Sequence, residues 1–572
     1  MQLTQSQPKS FQVNTTSVTM LNNERWLVGL HILSAFFALF WGALMGPFQT
    51  FHRSPAFVAA FPNATMPIFS YYYQALTAHG VLNALFFTTM FITGISYYVT
   101  WRSFDRPLVG MPLAWVAYAL ELIGLVILFF VLLNDPQRSA VLFTFYPPLI
   151  APPLFYIGLV LLVVGSWLGL LVVFLTYGAW RKENKAARIP LAPFAVMANY
   201  VMYFLASLGV AVEVLVLALP ASLGLIQNTD PQLSRALFWF FGHPVVYFWL
   251  IPAYVSWYTM LPMQAGAKRV FSEPLAKIAF LMLMIFSVPT GLHHMFADPG
   301  ISSTWKAIHT VFTLMVAVPS FMTAFNIGAT LEIAGRNRGG KGLFGWMFTQ
   351  KWSDPVVAAQ LMGMLQFITG GITGLINASA QINTVVHNTS WVPAHFHQTV
   401  GGAVAMTYIG IMYWLLPMIR GRALYSKKMA LAQVYTWGFG MTMFGHTLGE
   451  AGLAGVPRRT LSGLSPYLSE AATYWLNANA ISGVILLVSL ILLYANIVLT
   501  LFASKEPVTE GGYTVTKGDP TTPAILERWG LWIGVAVVLA ALVWTVPFID
   551  SINLTEGFQI LRYSPAGPVP LK

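Results

Sequence analysis

Apolar residues along the chain gather into long runs, each closed by a short stretch rich in proline, glycine or charge. Runs of about 20 apolar residues are long enough to cross a bilayer as a helix. The pattern predicts thirteen spans, at 26–49, 71–100, 110–133, 151–180, 193–220, 234–262, 275–298, 305–333, 355–378, 388–418, 428–453, 474–503 and 528–549. The fold class that follows is an all-α polytopic membrane protein. Its transmembrane bundle occupies 26–549, between an N-terminal segment 1–25 and a C-terminal tail 550–572. The longest polar linker, 504–527, reads as a plain loop.

Composition agrees with the pattern. Of 572 residues, 57% are hydrophobic and 9% charged, against about a quarter charged in soluble domains. There is no cysteine, which excludes disulfides, thiolate-bound zinc, iron–sulfur clusters, cysteine-attached haem and thiolate-bridged copper in this chain. Residues 1–25 lack the basic-then-apolar run of a cleaved signal peptide. The net charge of +11 reads as loop charge facing an anionic leaflet, so membrane lipid is the expected partner and nucleic acid is not.

Loop charge also predicts orientation. Lys and Arg concentrate after even-numbered spans, as in Arg181, Lys182, Lys185 and Arg188, or Arg336, Arg338, Lys341 and Lys351. The N-terminus is therefore expected in the cytoplasm and the C-terminus outside. Arg458 and Arg459 break the pattern by placing two adjacent cations on the outer side. Such a pair suggests a bound anion.

Six of the eleven histidines sit inside spans in conspicuous contexts: His79, His243, His293, His294, His395 and His397. With the expected orientation, all six fall roughly 7–14 Å below the outer ends of their helices. A lone intramembrane histidine is often a packing residue hydrogen-bonded to a neighbour, but six at one depth suggest a function. Imidazole without thiolate suits iron or copper.

Spacing divides the six. His293 and His294 diverge by about 100° on an ideal helix, and the preceding Pro289-Thr290-Gly291 can loosen it. Both rings could then meet one ion, with His243 completing a three-nitrogen site that keeps an open position. Tyr247, four residues after His243, shares its face. A phenol beside a copper ligand is a candidate proton and electron donor; the competing reading is an interfacial tyrosine. His395 and His397 leave a helix about 200° apart. One can join His79 across a planar macrocycle while the other holds a second macrocycle with an open position. Arg458 and Arg459 would then meet haem propionates.

The segments W-V-P-A-H-F-H at 391–397, W-F-F-G-H-P-V-V-Y at 239–247, H-H-M-F-A-D-P-G at 293–300, T-A-H-G at 77–80 and V-P-R-R at 456–459 together resemble subunit I of the haem–copper oxidase superfamily. The resemblance implies His79 and His397 as ligands of a low-spin haem and His395 as the proximal ligand of a high-spin haem. It implies His243, His293 and His294 as ligands of the copper called CuB, with Tyr247 covalently joined to His243. It also implies reduction of oxygen to water with proton pumping, as a cytochrome c oxidase in a prokaryotic cell membrane. The expected partners are a subunit II carrying a two-copper centre, cytochrome c, and a small single-span subunit. His387 is expected to hydrogen-bond in the propionate region.

Two departures refine the resemblance. Val245 stands where the largest branch has a glutamate that ends one of two proton-input paths, so that path is expected to be absent. His387-Asn388-Thr389 replaces the common H-D-T, which argues against an outer magnesium site. Both departures, and the thirteenth span, resemble the B branch, the ba-type cytochrome c oxidases. That branch implies haem B at the low-spin site and an A-type haem at the other. A single remaining proton path would run along Tyr247, Tyr254 and Tyr258 on one helix face, and along Ser320, Thr323 and Asn326 at threefold spacing on the eighth span. The branch more often has threonine where Asn326 stands, and hydroxyls that merely pack helices are the competing reading. His31, His52, His309 and His446 read as structural. Glu121, Glu213 and Glu450 are intramembrane acids to which the sequence assigns no geometry. The rival enzyme is a nitric oxide reductase, which wants glutamates near a non-haem iron and lacks the His-x3-Tyr pair. The rival outside enzymes is a transporter with structural histidines.

Overall fold

The structure, a computed structural model, describes residues 22–227, 229–298, 300–508 and 517–560, with side chains placed to residue 552 in the last helix. Most of the expected N-terminal segment and the end of the expected C-terminal tail lie outside the described residues. Each predicted span is a helix. They are α1 (Asn22–Arg53), α2 (Tyr72–Phe104), α3 (Met111–Asn134), α4 (Pro153–Glu183), α5 (Leu191–Ser222), α6 (Pro231–Ala265), α7 (Glu273–Ser287), α8 (Ser303–Asn337), α9 (Pro355–Ala378), α10 (Trp391–Arg420), α11 (Lys427–Leu453), α12 (Glu470–Phe502) and α13 (Trp529–Ile560). Among the described residues there is no β-strand, only two isolated bridges.

Twelve of these segments are long and apolar enough to cross a membrane, α7 being counted together with the chain that follows it to Met295. The remaining one, α11, is 27 residues long but rich in Gly and Thr. It compensates by packing: Gln433, Thr447 and all five of its glycines are buried, largely along α12 and α10. Close approach elsewhere also relies on small residues. A Cβ on Gly124 of α3 would lie 2.6 Å from the Gly158 carbonyl of α4, so this contact tolerates only glycine.

Prolines decide where the helices break. Pro244 lacks an N–H and clashes with the preceding turn, so α6 is interrupted at His243. α7 was expected to run to 298 but stops at Ser287. Val288 still has helical dihedrals, and Pro289 then bars continuation. The chain resumes as a four-residue 3-10 turn, Leu292–Met295, which carries His293 and His294. π-helical segments follow two other histidines, at Leu82–Phe87 after His79 and at His397–Val404. Such bulges are common where a helix serves a site.

The 504–527 linker does more than a plain loop. Lys277 on α7 is fully buried, and its Nζ donates to Ile189 O (2.7 Å), Glu527 Oε1 (2.9 Å) and Glu273 Oε1 (3.0 Å). Glu527 also pairs with Arg181 of α4 at 3.4 Å. This ion network ties α4, α7 and the entry to α13 together at one end of the bundle. Removing one partner of a buried ion group leaves an uncompensated charge, at a cost of about 3–5 kcal/mol. Lys277→Met is therefore expected to lower the thermal unfolding midpoint of the purified protein in detergent by several degrees, and an unchanged midpoint would show the network to be dispensable.

Candidate metal centre

One internal cavity of about 560 Å³ is lined by His79, His243, His293, His294, His395 and His397, and also by Tyr247, Ser320, His387, Arg458 and Arg459. Helices remote in sequence thus deliver the six imidazoles to a common space, as their shared depth suggested.

His243, His293 and His294 offer ligand nitrogens that all lie within 4.8 Å of one another. His243 Nδ1 and His294 Nε2 are 3.3 Å apart. Two nitrogens bound to one ion at about 2.0 Å each are separated by about 3–4 Å, so the cluster fits a single transition-metal ion. Among the described residues no carboxylate joins it. Each ring has a fixed orientation. The Thr313 hydroxyl donates to His309 O (2.6 Å), so its oxygen is left to accept from His293 Nδ1 (3.0 Å). That leaves His293 Nε2 free for a metal. Trp239 stacks on His294 with centroids 3.7 Å apart and an interplanar angle of 6°. His243 is held at the Pro244 break with Nε2 buried and without a partner. The Tyr247 ring stands 4.9 Å from the His243 ring.

His79 and His397 face each other with ring centroids 5.7 Å apart and planes within 13°. That separation is too wide for stacking. It is close to the roughly 6 Å that two imidazoles need when each binds one iron at about 2.0 Å. His79 Nδ1 donates to Gly42 O (2.8 Å), and His397 Nδ1 to Pro393 O (2.7 Å). His395 Nδ1 likewise donates to Gly370 O (2.9 Å), with Thr373 Oγ1 at 3.1 Å. All three rings therefore present Nε2 with its lone pair free. Glycines make room for these rings: a Cβ on Gly374 would lie 2.8 Å from His395 Cε1, and one on Gly46 would lie 3.3 Å from His79 Cε1.

The rim is cationic. Arg458 and Arg459 line the cavity and form no ion pair among the described residues. Burial, with Arg459 beside it, pulls the Arg458 guanidinium down to about 9. A pair of desolvated cations calls for an anion. Arg53 at the end of α1 lines the same rim, donating to Ser390 Oγ at 2.7 Å. His387 Nδ1 is 3.2 Å from Asn383 Oδ1, and its Nε2 is 3.9 Å from Asp298, which pairs with Arg235 at 2.7 Å. Burial and then Arg458 lower the pKa of His387.

The tyrosine and hydroxyl residues pair across α6 and α8. Tyr254 OH donates to Ser320 Oγ (3.2 Å), and Tyr258 OH to Thr323 Oγ1 (2.9 Å). Asn326 is tied differently: its Oδ1 accepts from Ser272 N (3.0 Å) and its Nδ2 donates to Ser272 O (2.7 Å). His31 lies apart from the cavity, 3.7 Å from Glu121. Sequence reasoning missed Arg53, Thr313, Thr373 and Trp239 as parts of the site. Only Trp239 had a signal, since it stands in the quoted segment at 239–247.

Residues 26–485 match the family of cytochrome c and quinol oxidase polypeptide I. The chain is 40% identical to cytochrome c oxidase subunit 1 of Thermus thermophilus, over 92% of this chain and 96% of that one. It is 27% identical to the heme-copper oxidase subunit I+III of Aeropyrum pernix, over 72% of this chain and 49% of that one. Its fold matches a cryo-EM structure of a heme-copper terminal oxidase dimer with a TM-score of 0.86 and 36% identity, covering 93% of both chains. The catalytic subunit of a terminal oxidase is an oxidoreductase with oxygen as acceptor, and membership brings haems, CuB, a subunit II partner and a membrane setting. Family match, identity and fold agree with the geometry of the six histidines: the chain belongs to the cytochrome c and quinol oxidase polypeptide I family, as subunit I of a haem–copper oxidase of the B-type branch.

Proposed function

We propose that in this oxidase His79 and His397 hold the low-spin haem, His395 the high-spin haem, and His243, His293 and His294 the copper. One observation carries the assignment: the facing His79–His397 pair, the single His395 and the three-histidine cluster open on the same cavity. The branch favours haem B at the low-spin site and an A-type haem at the other. Electrons arrive from cytochrome c through a subunit II with a two-copper centre, because this chain has no thiolate to build one. A small single-span subunit completes the assembly. The N-terminal segment faces the cytoplasm and the C-terminal tail the outside of the cell membrane.

When bound, the haems and copper supply the electron transfer and oxygen-reduction chemistry. The chain's own residues orient the ligands and move protons. Backbone carbonyls of Gly42, Pro393 and Gly370 hold the Nδ1–H of the three haem-side imidazoles, so each ring keeps one tautomer and one direction. The two faces of α10 divide the work. His397 shares its iron with His79, while His395 has no histidine opposite.

Tyr247 gives its phenolic proton at the copper site. The unpartnered Nε2 of His243, whose ring centroid is 4.9 Å from that of Tyr247, is the atom open to the covalent link, which would form with loss of one hydrogen from that nitrogen and one from the phenol ring to oxygen as the oxidant. Protons reach Tyr247 from the inner side through Thr323, Tyr258, Ser320 and Tyr254, whose hydroxyls pair at 2.9 and 3.2 Å. Asn326 holds the start of α7 beside this track through its two bonds to Ser272. On the outer side Arg458 and Arg459, with Arg53, receive the haem propionates as charge-assisted hydrogen bonds, and His387 hydrogen-bonds beside them.

Thr323→Val keeps the shape and deletes the hydroxyl. Turnover in the purified oxidase is expected to fall by about tenfold with both haem bands intact, and normal turnover would remove Thr323 from the path. His397→Leu is expected to abolish the low-spin haem band in a reduced-minus-oxidised spectrum while carbon monoxide still binds the haem on His395. Equal loss of both signals would refute the division of labour. Metal analysis of the wild-type complex should give about three coppers for two haem irons, one on the histidine cluster and two in subunit II; only the two of subunit II would exclude the copper assignment.

A further inference from the structure

The last helix, α13, meets the segment that leads into the turn carrying His293 and His294 at Val288 and Gly291, and reaches Leu292 of the turn through His309. Trp544 Nε1 donates to Val288 O at 2.9 Å, just after α7 ends. His309 of α8 bridges helix and turn: its Nε2 donates to Val543 O (3.3 Å), and its Nδ1 accepts from the backbone N–H of Leu292 (3.4 Å). The Trp544 ring closes against Gly291, where a Cβ would lie 2.7 Å from Trp544 Cζ2 and 2.6 Å from Trp239 O. Trp544 also meets the His309 ring edge-on at 4.8 Å. Both Trp544 and His309 are fully buried.

These contacts matter because the turn has little to hold it. Leu292–Met295 is an isolated four-residue 3-10 turn. Such turns have poorer hydrogen bonds than an α-helix, and this one is cut off from the α7 ladder by Pro289. A buried backbone N–H needs an acceptor; for Leu292 that acceptor is His309. The neighbouring Thr313 ties the same stretch of α8 to His293 Nδ1. None of Val543, Trp544 and His309 is itself among the six candidate ligands.

We propose that α13 is a positioning element of the copper site. Trp544 and Val543, acting through His309 and Gly291, set where the Leu292–Met295 turn stands and so where His293 and His294 point. This rests on the reading that His243, His293 and His294 hold the copper. Useful ligand geometry survives displacements of only about 0.5 Å, so loosening the brace should release copper before it disturbs the haems.

The test uses the purified, metal-loaded oxidase complex. Trp544→Ala is expected to lower the copper-to-haem ratio by up to one copper per pair of haems, with both haem bands kept. It should also speed amide exchange across 288–298 by about tenfold. His309→Leu is expected to do the same, and His309→Gln, which retains an acceptor and a donor, to restore most of both signals. His293→Ala tests the underlying reading and should lose the copper of the histidine cluster while keeping the two of subunit II. If His293→Ala loses copper while Trp544→Ala and His309→Leu keep the wild-type ratio and exchange, the brace is refuted and the ligand assignment stands. If His293→Ala keeps the cluster copper, the ligand assignment itself fails. Parallel loss of haems and copper in Trp544→Ala, without recovery in His309→Gln, would also overturn the proposal, because that pattern reports damage to the whole bundle.

Discussion

An imidazole inside a membrane has two nitrogens to satisfy, and this fold depends on how it satisfies one of each pair. At His79, His395 and His397 a backbone carbonyl takes the Nδ1–H and leaves Nε2 facing a shared cavity. At His293 a threonine hydroxyl plays the same part. A polar atom without a partner is expensive in hydrocarbon, and each remaining nitrogen is free to meet a metal. Glycines at 46 and 374 exist beside these rings because a methyl group would push them out of place. The Pro244 break and the early stop of α7 then bring ligands from α6 and from the turn after α7 within reach of one ion.

Charge is arranged around that cavity with similar economy. Arg53, Arg458 and Arg459 gather at one rim, while the nearby Asp298 is already engaged by Arg235. The rim is left with a surplus of positive charge that a ligand's carboxylates can neutralise. At one end of the bundle the opposite solution appears. Lys277 is enclosed by two glutamates of the chain itself and needs nothing from outside. One cluster is built to be completed by a cofactor and the other to be complete.

The bilayer made much of the site legible in the sequence. A polar residue there is costly, so six histidines at one depth stood out together where each alone would not, and the His243–Tyr247 spacing put both on one face. Helix count was legible from apolar runs, including α11, whose length shows in the pattern although its glycines and polar residues dilute it. Positions that depend on tertiary contact were not legible. Arg53 looked like ordinary loop charge, because its neighbours Ser390 and Pro457 lie more than 330 residues away. Glu527 looked like part of a plain loop for the same reason. Pro289 signalled a disturbance, but nothing local showed that α7 would end at Ser287 and resume as a 3-10 turn. His309 read as a packing residue, and only its position between Val543 and Leu292 gives it a further part.

The bracing of that turn by α13 has a consequence for assembly. His309 and Val543 are separated by 234 residues, and a ribosome delivers them in that order. During synthesis the two adjacent imidazoles enter the membrane long before the helix that steadies them exists. A metal chaperone meeting the unfinished chain would find His293 and His294 on a loose segment. The same donor meeting the finished bundle would find them aligned. With α13 as the proposed brace, the two imidazoles become aligned only once the last helix has inserted.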